Sequence, residues 1–441
     1  MGDLVIFYVA LLVTLLVRYG GKYEESVSLH ILPFTIIFVI WILVFYITNL
    51  YELSVVKNTY QFFSSYFSIM AVNIAIAISF FYLIPFLSIA PKRNLFLFIA
   101  IALILEVGWR TLYNRLLMKS GYRNNTLIVG LSQQAQELYD FLLLNPQLGY
   151  NALGIIDIKD ASAQDLLEKI ITQKNVKTLV LGRDVYGIPH IIDMLYRLVG
   201  RRMRFYDISK FSERITGKIP LSGIDQAWFL SNLSEGERRL YEVEKRAFDV
   251  AAALLLSILS VPFYPLVMLA IYLDTKGPMF IRQVRMGRSG KPFTLYKFRN
   301  MISNSPDGSA EAGTGPVWAA EEDPRITRVG RFIRRTRIDE LPQVWNVLQG
   351  DMSFVGPRPE RPEFYEKLRR EVPFYEERNL VSPGITGWAQ IKYKLDFRGG
   401  MTVQDTLEKV QYDLFYIKNR SILLDVGILL KTINILITKI F

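Results

Sequence analysis

The chain has 441 residues, 52 Lys and Arg against 41 Asp and Glu, a net charge of +11 and a hydrophobic share of 51%. This exceeds one ordinary domain and is too apolar for a purely soluble chain, so a membrane protein with basic faces and anionic partners is expected; no zinc-finger spacing or helix-turn-helix pattern calls for nucleic acid. Cysteine is absent, which excludes disulfides, thiolate nucleophiles and cysteine metal sites; the only histidines, His30 at the edge of an apolar stretch and His190 in an ordinary amphipathic segment, disfavour a Ser-His-Asp triad or a His-rich metal cluster.

Apolar runs near 2–17, 31–50, 67–90 and 94–113 have the length of membrane-crossing helices. Residues 1–118 are therefore expected to form a four-helix transmembrane region. Cations lie in successive connections, Arg18 with Lys22, Lys57, and Lys92 with Arg93, so charge alone leaves the orientation open. The first run lacks the basic flank and A-x-A end of a cleavable signal. Glu106, inside the fourth run, is expected to meet a local partner near Trp109 and Arg110.

From Asn124 the pattern changes. "TLIVG" reads as a buried strand ending at Gly130, and "SQQAQELYDFLLL" as a helix with a serine near its start. "ALGIID" and "VKTLVLG" read as further strands. The alternation predicts a small, Rossmann-like parallel α/β domain over residues 119–235. Of Gly-x-Gly-x-x-Gly only Gly130 is in place, which favours a structural or regulatory role over dinucleotide binding.

The remaining residues, 236–441, open with the linker "SEGERRLYEVEKR". It leads into "AFDVAAALLLSILSVPFYPLVMLAIYL", long enough to span a bilayer but interrupted by Pro262 and Pro265. Two readings stay open. One is a kinked fifth transmembrane helix. The other is a helix over about 247–273 that enters the membrane, breaks at Pro262 and returns to the same face, its freed backbone groups satisfied within the protein. The stretch from about 421 to 441 reads as an amphipathic interfacial helix or as a core helix.

Three clusters carry chemistry. In "LYKFRNM", Lys297 and Arg299 alternate on an expected strand and so share a face. In "RRTRIDELPQVWNVLQGDMSFVGPRPE", Asp339 and Glu340 precede a helix candidate in which Pro342 fits only the first turn. The dipole and the arginines favour ionised carboxylates, able to attack phosphorus or hold a divalent metal; an N-cap aspartate with a first-turn glutamate is the structural alternative. Gly356 permits an unusual backbone, and Pro357 and Pro359 fix Arg358 for bidentate phosphate binding. With Arg334 and Arg335 about a turn before the acids, these are the parts of phosphoryl transfer through a carboxylate. In "SPGITGWAQIKY", a loop punctuated by Pro383, Gly384 and Gly387 presents Trp388, Gln390 and Lys392, to a nucleobase or sugar or as a structural turn.

These motifs, in this order after the "KRAFD" of residues 245–249, resemble the bacterial polyprenyl-phosphate glycosyl-1-phosphate transferases. Those are monotopic phosphoglycosyl transferases that start exopolysaccharide, capsule and O-antigen assembly. The resemblance covers about residues 241–441, and the N-terminal half looks like the large subclass of undecaprenyl-phosphate galactose and glucose phosphotransferases. It implies a multi-pass protein of the bacterial inner membrane, of class α plus α/β, with a degenerate Rossmann-like domain and a transferase domain anchored on the cytoplasmic face by a re-entrant helix. It further implies that Asp339 attacks the sugar-bearing phosphate of a UDP-hexose, releases UMP and passes hexose-1-phosphate to polyprenyl phosphate. Glu340 would assist metal placement or proton handling. Mg2+, held by Asp339 and Glu340, would neutralise the diphosphate. Arg358 would contact uridine or phosphate, with Lys297, Arg299, Arg334 and Gln390 as further substrate-site residues. Membrane lipids, and a homodimer partner, belong to the same implication. A short N-terminus before the first helix and the incomplete glycine fingerprint depart from the family. A non-catalytic scaffold of a polysaccharide system is the alternative, and a nucleotide-sugar dehydratase or epimerase would need an intact glycine fingerprint and a Tyr-x-x-x-Lys pair. The sugar itself is not legible.

Overall fold

The structure is a computed structural model and describes residues 2–52, 59–83, 91–118, 124–158, 163–200, 203–233, 239–303, 323–393 and 402–440. Lys57, the end of the third apolar run, the side chains of Lys92 and Arg93, and the linker start at 234–238 lie outside the described residues. The chain divides into two compact units, Met1–Ile208 and Ser209–Phe441.

The first unit begins with α1 (Gly2–Tyr19), α2 (Tyr23–Ile47), α3 (Tyr60–Leu83) and α4 (Pro91–Met118). α1 and α2 form an antiparallel hairpin through a turn at Gly20–Lys22. Phe7 meets Phe38, Trp41 and Phe45, while Tyr8 Oη lies 2.8 Å from Thr35 Oγ1. α2 starts eight residues before its apolar run because an apolar window marks the hydrocarbon depth, whereas the helix continues through polar ends such as Glu24 and Glu25. Arg110 on α4 pairs with Asp3 of α1 at 2.5 Å and with Glu106 at 3.4 Å. The rings of Phe45, Tyr51 and Tyr66 surround its guanidinium. Glu106 thus has the local partner expected, and the cluster joins α1 to α4.

The sheet that follows is all parallel, in the order β2-β1-β3-β4. Its elements are β1 (Asn124–Val129), α5 (Gln133–Leu144), β2 (Tyr150–Ile156), α6 (Ala163–Gln173), β3 (Thr178–Leu181), α7 (Pro189–Arg197) and β4 (Arg204–Asp207). Ser132 caps α5 by accepting from the Ala135 amide at 3.1 Å. Where β1 and β3 end, the Asp184 carboxylate fills the space over two glycines. A Cβ on Gly130 would stand 2.4 Å from Asp184 Oδ1, and one on Gly182 2.5 Å from it.

The second unit holds α8 (Ile208–Thr216, its first residue closing the first unit), α9 (Gln226–Asn232), α10 (Arg239–Ser260), α11 (Tyr264–Asp274), β5 (Phe280–Met286), β6 (Pro292–Phe298), α12 (Arg328–Arg335), α13 (Gln343–Gln349), β7 (Ser353–Val355), α14 (Pro362–Glu371), β8 (Gly384–Thr386), α15 (Trp388–Lys392), α16 (Val403–Asn419) and α17 (Ile422–Ile440). The second unit takes in the stretch before α10, where Ile219, Ile224 and Trp228 bury themselves with Val347, Phe354, Val410 and Ile417. The Ile219 amide also donates to the Gln411 carbonyl at 3.0 Å.

α10 is fastened to this core by its polar N-terminal half. Arg246 donates to the Val347 and Leu348 carbonyls at the end of α13, at 2.5 and 2.8 Å, where a cation suits the helix dipole. Lys245 pairs with Asp425 of α17 at 2.7 Å, and Asp249 accepts from the Phe354 amide at 3.1 Å. Beyond this, Leu254, Leu255, Ile258, Leu259, Phe263 and Leu266 stand exposed. A 3-10 turn at Val261–Phe263 breaks the helix at Pro262. α11 then brings Ile271 against Phe298 and Ile333. α17 sinks its first turns into the core through Asp425 and Ile428, while Leu423, Ile433 and Ile437 stand exposed.

Candidate active site

The acids sit where a hairpin, a tight turn and a short helix meet. β5 and β6 pair antiparallel, with Ile281 opposite Lys297 and Arg285 opposite Phe293. Cross-strand partners share a face, so Gln283, Arg285 and Lys297 point to one side. Asn346 of α13 locks β6 beside the turn: its amide donates to the Thr294 carbonyl at 2.7 Å and its Oδ1 accepts from the Tyr296 amide at 3.2 Å. α12 is capped by Thr336, and Arg337 then takes a left-handed conformation with φ 58°, which costs a non-glycine residue energy. The chain turns there into the 3-10 turn Ile338–Glu340, and Pro342 precedes α13. Asp339 and Glu340 thus stand just before a helix N-terminus, as the sequence indicated.

Asp339 is 6% exposed. Its Oδ2 accepts from Asn300 Nδ2 at 2.8 Å, while its Oδ1 is buried with no hydrogen-bond partner among the described residues. Glu340 Oε1 accepts from Arg337 at 2.7 Å and from Arg358 at 3.0 Å. Burial, reinforced by the neighbouring Glu340 charge, pushes the Asp339 carboxyl up to about 6; Lys297, Arg337 and Arg358 pull the other way. The arginines therefore do not hold Asp339 at an ordinary low value, because desolvation outweighs them. On Glu340 burial also pushes upward, but Arg358 and Arg337 win and hold its carboxyl below the usual range. Lys297 is pushed down to about 8 by burial and by Arg285, against the pull of Asp339. Two adjacent acids thus have opposite tendencies, one stably anionic and one poised near neutrality.

Of the residues singled out from sequence, Lys297, Arg334 and Arg358 gather around the acid pair; Arg334 is attracted by Asp339 and Asp323. Arg299 does not share their face. β6 ends at Phe298, and Arg299 turns to the Thr275 and Lys276 carbonyls after α11. Gln390 donates to the Ile385 carbonyl at 3.4 Å within its own loop. Trp388 stacks on Phe415 and donates to the Gly217 carbonyl at 2.8 Å, so this aromatic belongs to a structural turn. Arg285, Arg337 and Asn300 were passed over. Arg285 alternates with Gln283 in "FIRQVRM", and Asn300 follows Arg299 directly, so both carried a readable signal once the hairpin is drawn.

The Arg358 segment is held by close backbone approach. Gly356 has an ordinary negative φ, not the unusual backbone expected. Its amide donates to the Thr386 carbonyl, and the Gly384 amide to the Pro357 carbonyl, both at 2.9 Å. The Arg358 carbonyl accepts from Arg378 at 3.1 Å. Arg378 is itself buried against Asp413, at 2.8 Å. Asp413→Leu should lower stability by about 3–5 kcal/mol, since it leaves a buried guanidinium without its counter-ion. A thermal unfolding scan in detergent would read this as a marked fall in midpoint.

The donor set fits a magnesium ion. No group of three His, Cys, Asp or Glu suited to a metal occurs among the described residues. Magnesium, however, is commonly held by one or two carboxylates together with substrate phosphates. Asp339 and Glu340 are the two carboxylates that would be available to it.

The profile described as bacterial sugar transferase matches residues 240–439. A UDP-N-acetylgalactosamine-undecaprenyl-phosphate N-acetylgalactosaminephosphotransferase of Aeromonas hydrophila is 40% identical over 237 residues, 53% of this chain and 52% of that protein. An undecaprenyl-phosphate glucose phosphotransferase of Komagataeibacter xylinus is 33% identical over 316 residues, 70% of this chain and 58% of that one. An undecaprenyl-phosphate galactose phosphotransferase of Salmonella typhimurium is 31% identical over 371 residues, 77% of this chain and 73% of that one. The chain thus spans little more than half the length of the first two.

Proposed function

This chain belongs to the bacterial sugar transferase family, and we propose that it moves a hexose-1-phosphate from a UDP-hexose to polyprenyl phosphate, releasing UMP. The observation that carries this reading is the buried, unpartnered Oδ1 of Asp339 amid Lys297, Arg337 and Arg358. An oxygen so placed is desolvated for attack, and the cations around it receive a diphosphate. In the first step Asp339 Oδ1 forms a bond to the sugar-bearing phosphorus while the bond to the UMP oxygen breaks. In the second, a phosphate oxygen of the polyprenyl carrier attacks the same phosphorus and the Asp339 carboxylate leaves. Asn300 keeps the other carboxylate oxygen fixed throughout. Glu340 holds Arg337 and Arg358 in place. Magnesium, held by Asp339 and Glu340, supplies charge neutralisation for the diphosphate when bound.

The same reading places the α10–α11 segment in the membrane as a re-entrant hairpin. Both its ends grip the second unit, α10 at α13 and β7, α11 at α12, while the turn at Pro262 is bare and apolar. A straight spanning helix would put those ends on opposite sides of the bilayer. UDP-sugars then reach the domain from the cytoplasmic side of the inner membrane.

The test is UMP release by the purified protein with polyprenyl phosphate, magnesium and UDP-glucose, UDP-galactose or UDP-N-acetylgalactosamine, the sugars of the three relatives. Release with one donor, and an intact mass raised by a phospho-sugar, is expected; no release with any of them would favour the scaffold reading. Arg358→Lys should lower kcat/KM by about tenfold to a hundredfold, because one ammonium cannot hold Glu340 and a phosphate in a fixed fork.

A further inference from the structure

α12 has two unlike faces. Val329 and Ile333 pack with Ile271 and Phe298, and Gly330 presses against the Asn300 carbonyl, where a Cβ would stand only 1.9 Å away. The opposite side shows Arg328, Arg331, Phe332 and Arg335, all exposed, Phe332 at 62%. At 3.6 residues per turn these four fall within an arc of about 100°. The helix "RVGRFIRR" contains no acidic residue. An arginine face interrupted by a large exposed aromatic is an unusual solvent surface.

The position of α12 says what covers that face. The Asp274 carboxylate at the end of α11 accepts from the Val329 amide at 2.9 Å. α12 therefore begins beside the end of α11, the second arm of the hairpin whose turn is bare and apolar. Trp345, 57% exposed, stands on α13, the helix whose end Arg246 ties to α10. Exposed aromatics and arginines thus ring the base of an apolar hairpin, which is the arrangement of a membrane–water interface.

We infer that the Arg328–Arg331 face of α12 docks on the headgroups of anionic phospholipids, with Phe332 inserted among them. This rests on the re-entrant reading of α10 and α11. Charge complementarity selects the anionic headgroup, since each arginine at such a surface adds attraction that a zwitterionic lipid does not return. Continuity with the hairpin selects a bilayer over a protein partner. The consequence for the reaction is geometric. The helix that ends at Arg334 and Arg335 leads directly into the turn bearing Asp339. Seating α12 on the headgroups sets the height of the acid pair above the bilayer, where the phosphate of a polyprenyl carrier emerges.

The chain contains no cysteine, so a single probe can be placed cleanly. The full-length Phe332→Cys protein, labelled with an environment-sensitive fluorophore, is inserted in nanodiscs of phosphatidylcholine alone or with phosphatidylglycerol, each doped with a headgroup nitroxide lipid. Quenching that grows with phosphatidylglycerol and weakens with salt is expected. Adding Arg328→Gln and Arg331→Gln should raise severalfold the phosphatidylglycerol fraction needed for half-maximal quenching. Equal quenching in both lipids, or none, overturns the inference. Phe263→Cys with an acyl-chain nitroxide lipid separates the two readings. Quenching at 263 without quenching at 332 leaves the hairpin standing and removes the α12 face, with a protein partner then the occupant to seek. Quenching at neither position removes both.

Discussion

Asp339→Asn should reduce UMP release by about three orders of magnitude or more, the scale on which loss of a covalent nucleophile is felt. The fold should survive the change, because an asparagine oxygen can still accept from Asn300, and the substitution adds no volume. An unchanged melting temperature together with lost release, and no phospho-sugar mass, is the expected pattern; release at the wild-type rate would remove Asp339 from the reaction. The pH profile gives a second reading of the same site. Asp339, raised to about 6, acts in its ionised form, so activity should climb as pH rises through about 6. Lys297, lowered to about 8, contributes in its charged form, so activity should fall as pH rises through about 8. Lys297→Arg should abolish the alkaline limb and leave the acid limb, because a guanidinium stays charged across that range. An alkaline limb that persists in this variant would show that Lys297 is not its source.

Gly384→Ala should be among the most damaging substitutions outside the acid pair. A Cβ there would stand 2.1 Å from the Gly356 amide nitrogen and 2.4 Å from the Thr386 carbonyl oxygen. Both are backbone atoms, held by the pairing of β7 with β8, so nothing flexible can yield. A cost of about 3 kcal/mol or more is expected. It would be seen as a low yield of folded protein or a melting temperature several degrees down. Gly356→Ala meets the Ser382 carbonyl at 2.4 Å and should behave alike. A folded, fully stable Gly384→Ala protein would show that the seam is looser than its geometry indicates.

Much of this was legible without coordinates, for reasons that differ by region. Apolar runs disclosed α1 to α4 because hydrocarbon depth fixes their length, yet missed their polar ends. The two central strands of the parallel sheet carry short, largely apolar stretches, "TLIV" and "TLVL", whose continuous burial marks them. The acid pair was found because a proline marked the start of α13 beside it. What escaped was set by distant packing. Whether Arg299 faces the acids depends on where β6 stops, and that depends on carbonyls after α11. Trp388 looked like a ligand platform because its partners, Phe415 and Gly217, lie far away in sequence. The upward shift of Asp339 could not be read from a stretch rich in arginines, since burial is a property of the folded chain.

The carboxylate of Asp184, seated over Gly130 and Gly182, sets this sheet apart from a dinucleotide-binding one. In parallel sheets of this kind a dinucleotide's diphosphate rests on glycines at the strand ends, next to a helix N-terminus. Here the side chain of Asp184 already occupies that space. The incomplete glycine fingerprint thus has a structural counterpart, an aspartate side chain standing where a diphosphate would rest.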